Sequence, residues 1–379
     1  MRILFAGAHP YLPQIAGGTQ SNTHELAAEL IKRGHEVGVL SGLTGKGWIG
    51  GKGRLALKLG REVAVDRSQG YPVYRSWFAA KGATAAARRF RPDVAIAQSG
   101  RILEVAEALR AADVPTLLYF HNVEFDDHGG SMDRFRNATC LANSDFTAAR
   151  YAATYGVEAG VLNPLIQAAR YAVESSRERV LFVNPHPLKG VDIALELAAA
   201  CPDIPFDFVE SWTLPEAQKA ALVAKAKALS NITLHPSTND MRVHYGRARI
   251  LLIPSRWEET WGRVASEGHV SGIPALATRI GGLGEAVGPG GMLLAQSAPA
   301  AEWVAALRRM WDDKAHYAVL AGAALAYSRR PALDPAHQID VLLAALEATI
   351  AGRPATLSND NETLLMSVMS VPGKLEGTS

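Results

Sequence analysis

The stretch RILLIPSRWEETWGRVASEGHVSGIP, residues 249–274, passes from an apolar run through a polar loop into residues with helical spacing. RILLIPS reads as a buried strand, and a helix begins around Trp261 to Arg263. IPALATR, after Gly272, returns to strand character, so the unit is strand, loop, helix, strand, the connection that joins parallel strands. Two carboxylates lie in it, Glu259 in the loop and Glu267 in the second helical turn. A helix start offers unpaired N–H groups to a phosphate or hydroxyl, and Gly262 lets backbone approach a ligand closely. A carboxylate one turn further on can accept both hydrogens of a ribose diol, and the loop glutamate can do the same for a sugar hydroxyl. Glutamates that merely complement the helix dipole account for this spacing equally well. The rest of the chain has to decide.

Outward from this unit the same alternation continues in both directions. Strand candidates in the first half are RILFAGA, EVGVLSG, DVAIAQS, TLLYFHN, ATCLANS and AGVLNP, separated by helical stretches such as THELAAELIKRG. A second set begins near residue 178 with ERVLFVN, PFDFVES, NITLHPS, RILLIPS and IPALATR. Because the alternation restarts, two doubly wound parallel-sheet domains are expected, over 1–165 and 166–334, with a linker near 163–179 that carries Pro164. A helix over 335–351 is expected to cross back onto the first domain, and 352–379 reads as a disordered tail. Open α/β sheets bind ligands at the carboxyl ends of their strands, so two facing domains make a cleft, and both Glu259 and Glu267 are expected to face it.

Bulk properties set limits. The chain has 379 residues, more than one core usually supports, with 48% hydrophobic and 20% charged residues. A net charge of +2 argues against a dedicated nucleic-acid binder. Cys140 and Cys201 read as buried thiols in a reducing compartment, which points to the cytoplasm. No apolar run is long enough to span a bilayer, so any membrane contact is made from the surface. The strongest local charge bias is SGLTGKGWIGGKGRLALKLGR, where Lys46, Lys52, Arg54, Lys58 and Arg61 interleave with Trp48, Ile49, Leu55, Leu57 and Leu59. This segment, 46–61, suits peripheral contact with an anionic inner membrane face, a loop closing over an acceptor, or a plain solvated surface.

Glu259 and Glu267, with seven residues between them, Trp261-Gly262 among these, and followed by SGIPALATRIGGLGE, resemble the donor-site signature of retaining family-four glycosyltransferases of GT-B fold. Gly17-Gly18 in QIAGGTQ is similar to that family's glycine loop, His121 in LLYFHN to its cleft histidine, and Lys189-Gly190 in NPHPLKG to its donor-phosphate lysine. The resemblance covers residues 1 to about 350. It implies two facing Rossmann-like domains and metal-independent transfer of a sugar from a nucleoside-diphosphate sugar to a hydroxyl acceptor, with the anomeric configuration kept and no cofactor. The acceptor class (saccharide, lipid-linked or small molecule) stays open. It further implies that Glu267 holds the ribose and Glu259 the sugar hydroxyls. Lys189 and the amides of Trp261, Gly262, Arg263 and Val264 would hold the diphosphate, His121 the sugar from the opposite domain, and Gly17 and Gly18 would leave room for phosphate and acceptor.

One position departs from the pattern. The family usually has an arginine five residues before the phosphate lysine, and this chain has Asn184. Arg256, Arg263 or Arg242 would supply the missing charge; otherwise the site binds phosphate more weakly or has lost turnover. A non-catalytic sugar-nucleotide binder, or another GT-B enzyme such as an epimerase or phosphorylase, are therefore the alternatives. Trp212 reads either as a cover on a strand end or as a surface for a base. HNVEFDDHGG, with His121, Glu124, Asp126, Asp127 and His128, has the residue types of a metal site, although His121 is better used in the cleft.

Overall fold

The computed structural model describes residues 1–352; the tail expectation falls on 353–379, outside them. The first sheet has eight strands: β1 (Arg2–Pro10), β2 (Glu36–Gly42), β3 (Ala64–Asp66), β4 (Val73–Ser76), β5 (Val94–Gln98), β6 (Thr116–Phe120), β7 (Cys140–Ala142) and β8 (Gly160–Val161). They lie in the order β3-β4-β2-β1-β5-β6-β7-β8, parallel except where β3 pairs antiparallel with β4. The second sheet holds β9 (Arg179–Val183), β10 (Phe206–Val209), β11 (Ile232–His235), β12 (Ala248–Ile253), β13 (Ala275–Thr278) and β14 (Gly291–Leu294). Its order is β11-β10-β9-β12-β13-β14, parallel throughout.

Strands β1, β5 and β12 are apolar without alternation because helices cover both faces of each sheet. Ile3 and Phe5 enter one core with Leu26, while Leu4 and Ala6 enter another with Ala83 and Val105. In the second sheet Ile250 and Leu252 face Trp303 and Leu307, and Leu251 faces Tyr245 and Ala265. The strand order reverses beside β1 in the first sheet and beside β9 in the second, and a ligand crevice opens at such switch points.

The helix Pro335–Ile350 follows the second domain in sequence but lies on the first. Ile339, Leu342 and Leu346, none with exposed surface, share a core with Ile3, Phe5, Leu26 and Leu117. Each such burial is worth roughly 1.5–3 kcal/mol against exposure, which anchors the helix there.

Candidate functional site

The loop after β1 is shaped by a buried arginine. Arg75 on β4, 1% exposed, pairs with Asp66 at 2.6 Å and donates to the carbonyls of Tyr11 at 3.2 Å and Leu12 at 2.6 Å. That grip fixes the turn that delivers Gly17 and Gly18 to the start of the helix Gly18–Lys32. Gly17 has no side chain to cap this helix, so its first amides stay open toward the cleft.

In the second domain β12 ends at Ile253 and the next helix, Arg263–His269, starts after Gly262. Gly262 has φ +135°, and a Cβ there would come 2.5 Å from the Leu283 side chain, so only glycine fits this turn. Lys189 follows β9 and reaches across to Glu259: its Nζ donates to Oε1 at 2.5 Å, and the Ser255 hydroxyl donates to the same oxygen at 2.8 Å. The Trp212 ring lies 4.9 Å from the Lys189 ammonium and is partly exposed on the cavity wall.

Gly17, Gly18, His121, Lys189, Glu259, Trp261, Gly262, Arg263 and Val264 line one cavity between the two sheets, with Asn184 and Trp212 beside them. His121 follows β6 and is buried by the cleft walls. Burial, with Arg263 nearby, pulls its imidazole down to about 3, so it is neutral at pH 7. Its Nε2 has no hydrogen-bond partner, an unused polar atom of a kind that buried sites rarely leave open without a ligand.

Two expected residues sit elsewhere. Glu267, expected to face the cleft, lies behind its wall: Oε2 accepts from the Tyr245 hydroxyl at 2.8 Å and Oε1 from Arg263 Nε at 3.1 Å. The cause is a partner far away in sequence. Glu25, fully buried on the first helix, accepts from Arg263 Nη2 at 3.0 Å, from the Tyr171 hydroxyl at 2.6 Å and from Arg170 at 3.1 Å, which draws the Arg263–Glu267 pair inward. Burial raises the Glu267 carboxyl above its ordinary range, with Arg263 and Tyr245 working against the rise. Arg256, also expected at the donor site, is instead half-exposed outside the cavity, where Asp192 pairs with it. Neither candidate arginine brings an uncommitted guanidinium to the cavity beside Lys189: Arg256 is turned away, and Arg263 is held by Glu25, Glu267 and the Leu165 carbonyl at 3.0 Å. Arg242, the third, pairs with Asp240 on the surface. Among the described residues the cations lining the cavity are Lys189 and Arg263, while Asn184, with φ +65°, accepts from the Trp212 amide at 3.1 Å.

The segment 121–130 does not converge on a metal. His121 enters the cavity, whereas His128 is buried with its Nε2 2.9 Å from the Tyr151 hydroxyl. A cluster the motifs did not flag is Asp207, His235 and His244, whose ligating atoms lie within 4.8 Å of one another. Asp207 is already bound to Arg179 at 2.7 Å, a fixed cation that competes with any metal there.

Sequence motifs also missed the groups that join the domains at the cavity. The Thr260 hydroxyl donates to the His121 carbonyl at 2.7 Å and accepts from Asn143 Nδ2 at 3.0 Å. Glu285 accepts from the Asp145 and Phe146 amides, both at 2.8 Å, capping a helix of the other domain, and Arg150 pairs with Glu258 at 2.7 Å. Each is a single polar residue whose partner lies over a hundred residues away, so no local pattern could reveal it.

Two facing parallel-sheet domains with a polar cavity at their switch points define the GT-B architecture. Solved structures agree on the fold: a glycosyltransferase from Rickettsia africae superposes with a TM-score of 0.71 at 14% identity over 92% of this chain and 98% of that one. Anabaena Alr3699/HepE, solved with UDP and glucose, gives 0.72 at 18% identity over 92% and 100%. Residues 16–165 match the model of Glycosyltransferase Family 4 and residues 177–313 that of Glycosyl transferases group 1, so the chain belongs to the family-four, group 1 glycosyltransferases. A D-inositol 3-phosphate glycosyltransferase of Arthrobacter is 29% identical over 174 residues, 42% of this chain and 41% of that one. One from Segniliparus rotundus is 28% identical over 212 residues, 52% and 46%. The matched stretch thus spans less than half the length of these curated relatives.

Proposed function

We propose that this protein transfers a sugar from a nucleoside-diphosphate sugar to a hydroxyl acceptor, with retention of anomeric configuration and without a metal ion. The observation that carries the reading is the meeting of Lys189–Glu259 from one domain with the unpartnered His121 Nε2 and the open helix start at Gly17-Gly18 from the other. Neutral His121 donates or accepts one hydrogen bond with a sugar hydroxyl, and Glu259 accepts from others while orienting Lys189. Lys189 and the amides of residues 261–264 hold the diphosphate, and Glu267, behind the cavity wall, acts on the nucleotide only by holding the Arg263 side chain in place.

In the reaction the bond between the anomeric carbon and the phosphate oxygen breaks, and its electron pair stays on the diphosphate. The acceptor oxygen attacks from the same face, and its proton passes to a leaving phosphate oxygen. The protein supplies preorganised charge and position rather than a base. UDP is the first nucleotide to test, because a structural neighbour was solved with it.

A non-catalytic sugar-nucleotide binder is the second reading, favoured by Asn184 standing near the diphosphate region with no spare arginine beside it. Thermal shift against UDP, GDP and ADP, followed by nucleotide release from the matching donors, separates the two. A nucleotide at a hundredfold its Kd adds ~2.7 kcal/mol of stability. A shift with turnover supports the transferase, a shift without turnover over a broad acceptor panel supports the binder, and no shift with any nucleotide sinks both.

Surface contact with a membrane belongs to the same proposal. The helix Gly47–Lys58 displays Trp48 at 76% and Leu55 at 59% exposure among its lysines and Arg54. Among the described residues no helix is long and apolar enough to cross a membrane.

A further inference from the structure

Two further cavities lie along the strand ends of the first domain, beside the donor cavity and linked to it in turn by shared lining residues. Thr19 lines both the donor cavity and the second one, and His9 lines both the second and the third. The third is walled by Trp77 and Phe78 on one side and by Arg101, Glu104 and Asp127 on the other. We propose that this run of cavities is an acceptor trough for a saccharide of at least two units, the distal unit stacking on Trp77 and Phe78 while Glu104, Asp127 and His9 bind its hydroxyls. The proposal rests on the transferase reading and gives that reaction its acceptor class.

The chemistry of the walls selects the ligand. Trp77 is 45% and Phe78 63% exposed, a large apolar surface left in water at the mouth of a polar cavity. Facing it, the carboxylates of Glu104 and Asp127 offer acceptors, and Arg101, paired with Glu104, offers donors. A sugar has both an apolar C–H face and a rim of hydroxyls, and so satisfies both walls. A purely apolar chain would leave the carboxylates desolvated without partners. A phosphate would meet two carboxylates against a single arginine, the wrong balance of charge for an anion.

The polar wall is built rather than incidental. Ser99 Oγ lies 2.7 Å from His9 Nδ1, which turns His9 Nε2 toward Asp127, 3.9 Å away. Ser99 and Arg101 both hold positive φ, +67° and +51°, strained for residues with side chains. Gly100 between them has no room for a Cβ, which would come 2.5 Å from His9 Nε2 and 2.8 Å from Asp127 Oδ2. The Arg101 amide donates to the Asp127 carbonyl at 2.7 Å and fixes the far side of the wall. Backbone strain at Ser99 and Arg101, on either side of a glycine that leaves no room for a Cβ, thus brings His9, Asp127 and Arg101 together.

The test is calorimetry on the full chain with glucose, mannose, galactose and N-acetylglucosamine and with maltose, mannobiose, lactose and chitobiose, each with and without saturating UDP. At least one disaccharide should bind tenfold or more tightly than its monosaccharide. W77A and E104Q should each erase that gain, while the circular dichroism melt and the UDP thermal shift stay as in the wild type. F78A, at a more exposed position, provides a second variant should W77A fold poorly. The proposal is overturned if no disaccharide outperforms its monosaccharide, or if the gain survives both W77A and F78A. It is equally overturned if W77A reduces sedimentation with phosphatidylcholine–phosphatidylglycerol vesicles while saccharide affinity is unchanged. A missing UDP shift counts against the donor reading alone, because the trough is read separately in the samples without UDP.

Discussion

Replacing Thr260 with valine keeps the shape of the side chain and removes only the hydroxyl that bridges the domains. In the closed structure two partners then lose their bond: the His121 carbonyl, 2.7 Å away, and Asn143 Nδ2, 3.0 Å away. Each part-buried group left unpaired costs on the order of 1–3 kcal/mol. Asn143 stays connected, since its Oδ1 still accepts from Thr147, so the smaller figure applies to it. The total comes to roughly 2–4 kcal/mol, borne by the closed arrangement and relieved when the domains part. At about 1.4 kcal/mol per decade, turnover should fall roughly 30- to 700-fold if closure precedes chemistry. Thr260 lines the cavity, but its hydroxyl is taken up by the His121 carbonyl and Asn143, so it acts as a positioning residue, and T260V should lower kcat more than it raises the donor KM. Steady-state kinetics on T260V, T260S and N143A, with small-angle scattering of each with and without UDP, give the answer. T260S should recover most of the rate, and T260V should scatter as a more open particle. A T260V protein with wild-type kcat and scattering would refute the idea that this hydroxyl sets the closed geometry.

Three other outcomes are expected of the same structure. E259A should reduce turnover more than nucleotide affinity, while E267A should mainly weaken UDP binding in a thermal-shift titration; identical behaviour of the two would refute the division of roles. Because the His121 imidazole is held down to about 3 in the folded protein and is near 6.5 unfolded, the unfolded chain takes up the extra proton between those values. Stability should therefore fall as pH drops from about 6.5 toward 3, with His121 contributing up to ~1.4 kcal/mol per pH unit, and stay insensitive to His121 above that window. Denaturant titrations of H121N should show a shallower acid slope, with His269, lowered to about 4, supplying part of what remains. L342A, in the core the last helix shares with β1, should cost ~2–5 kcal/mol and lower the melting temperature, whereas an exposed change such as V319A should leave it nearly unchanged.

Strands buried on both faces are uninterrupted apolar runs, which is why RILFAGA, DVAIAQS and RILLIPS could be read directly as β1, β5 and β12. The elements that escaped, β3, β4 and β14, are edge or near-edge strands of three or four residues, too short to show a period, and β4 owes its place to the buried Arg75 pairing with Asp66. At the site, motif spacing located Lys189, Glu259 and Gly262 on the cavity wall because each sits in a short loop directly after a strand. The inward turn of Glu267 was invisible, since it depends on Glu25, 242 positions earlier in the chain. The same holds for Arg256, whose partner Asp192 on another helix turns it outward. Pairing over such distances leaves no mark on local sequence, whereas strand, loop and glycine geometry does.

The return of the final helix to the first sheet has a mechanical consequence. The polypeptide crosses between the domains twice, once near residues 163–171 and again just before Pro335, so the donor domain is an insertion held at two points. A body tied at one point can swivel freely; one tied at two can turn only about the line joining them. The Glu25 carboxylate, bonded to the Gln167 amide and to Arg170 and Tyr171 on the first crossing and to Arg263 in the second domain, ties that crossing to both bodies. The Thr260–His121 contact joins the domains at a separate place. Any relative turning of the two domains is in this way restricted to one angular coordinate, with a buried charge at one of the two tethers.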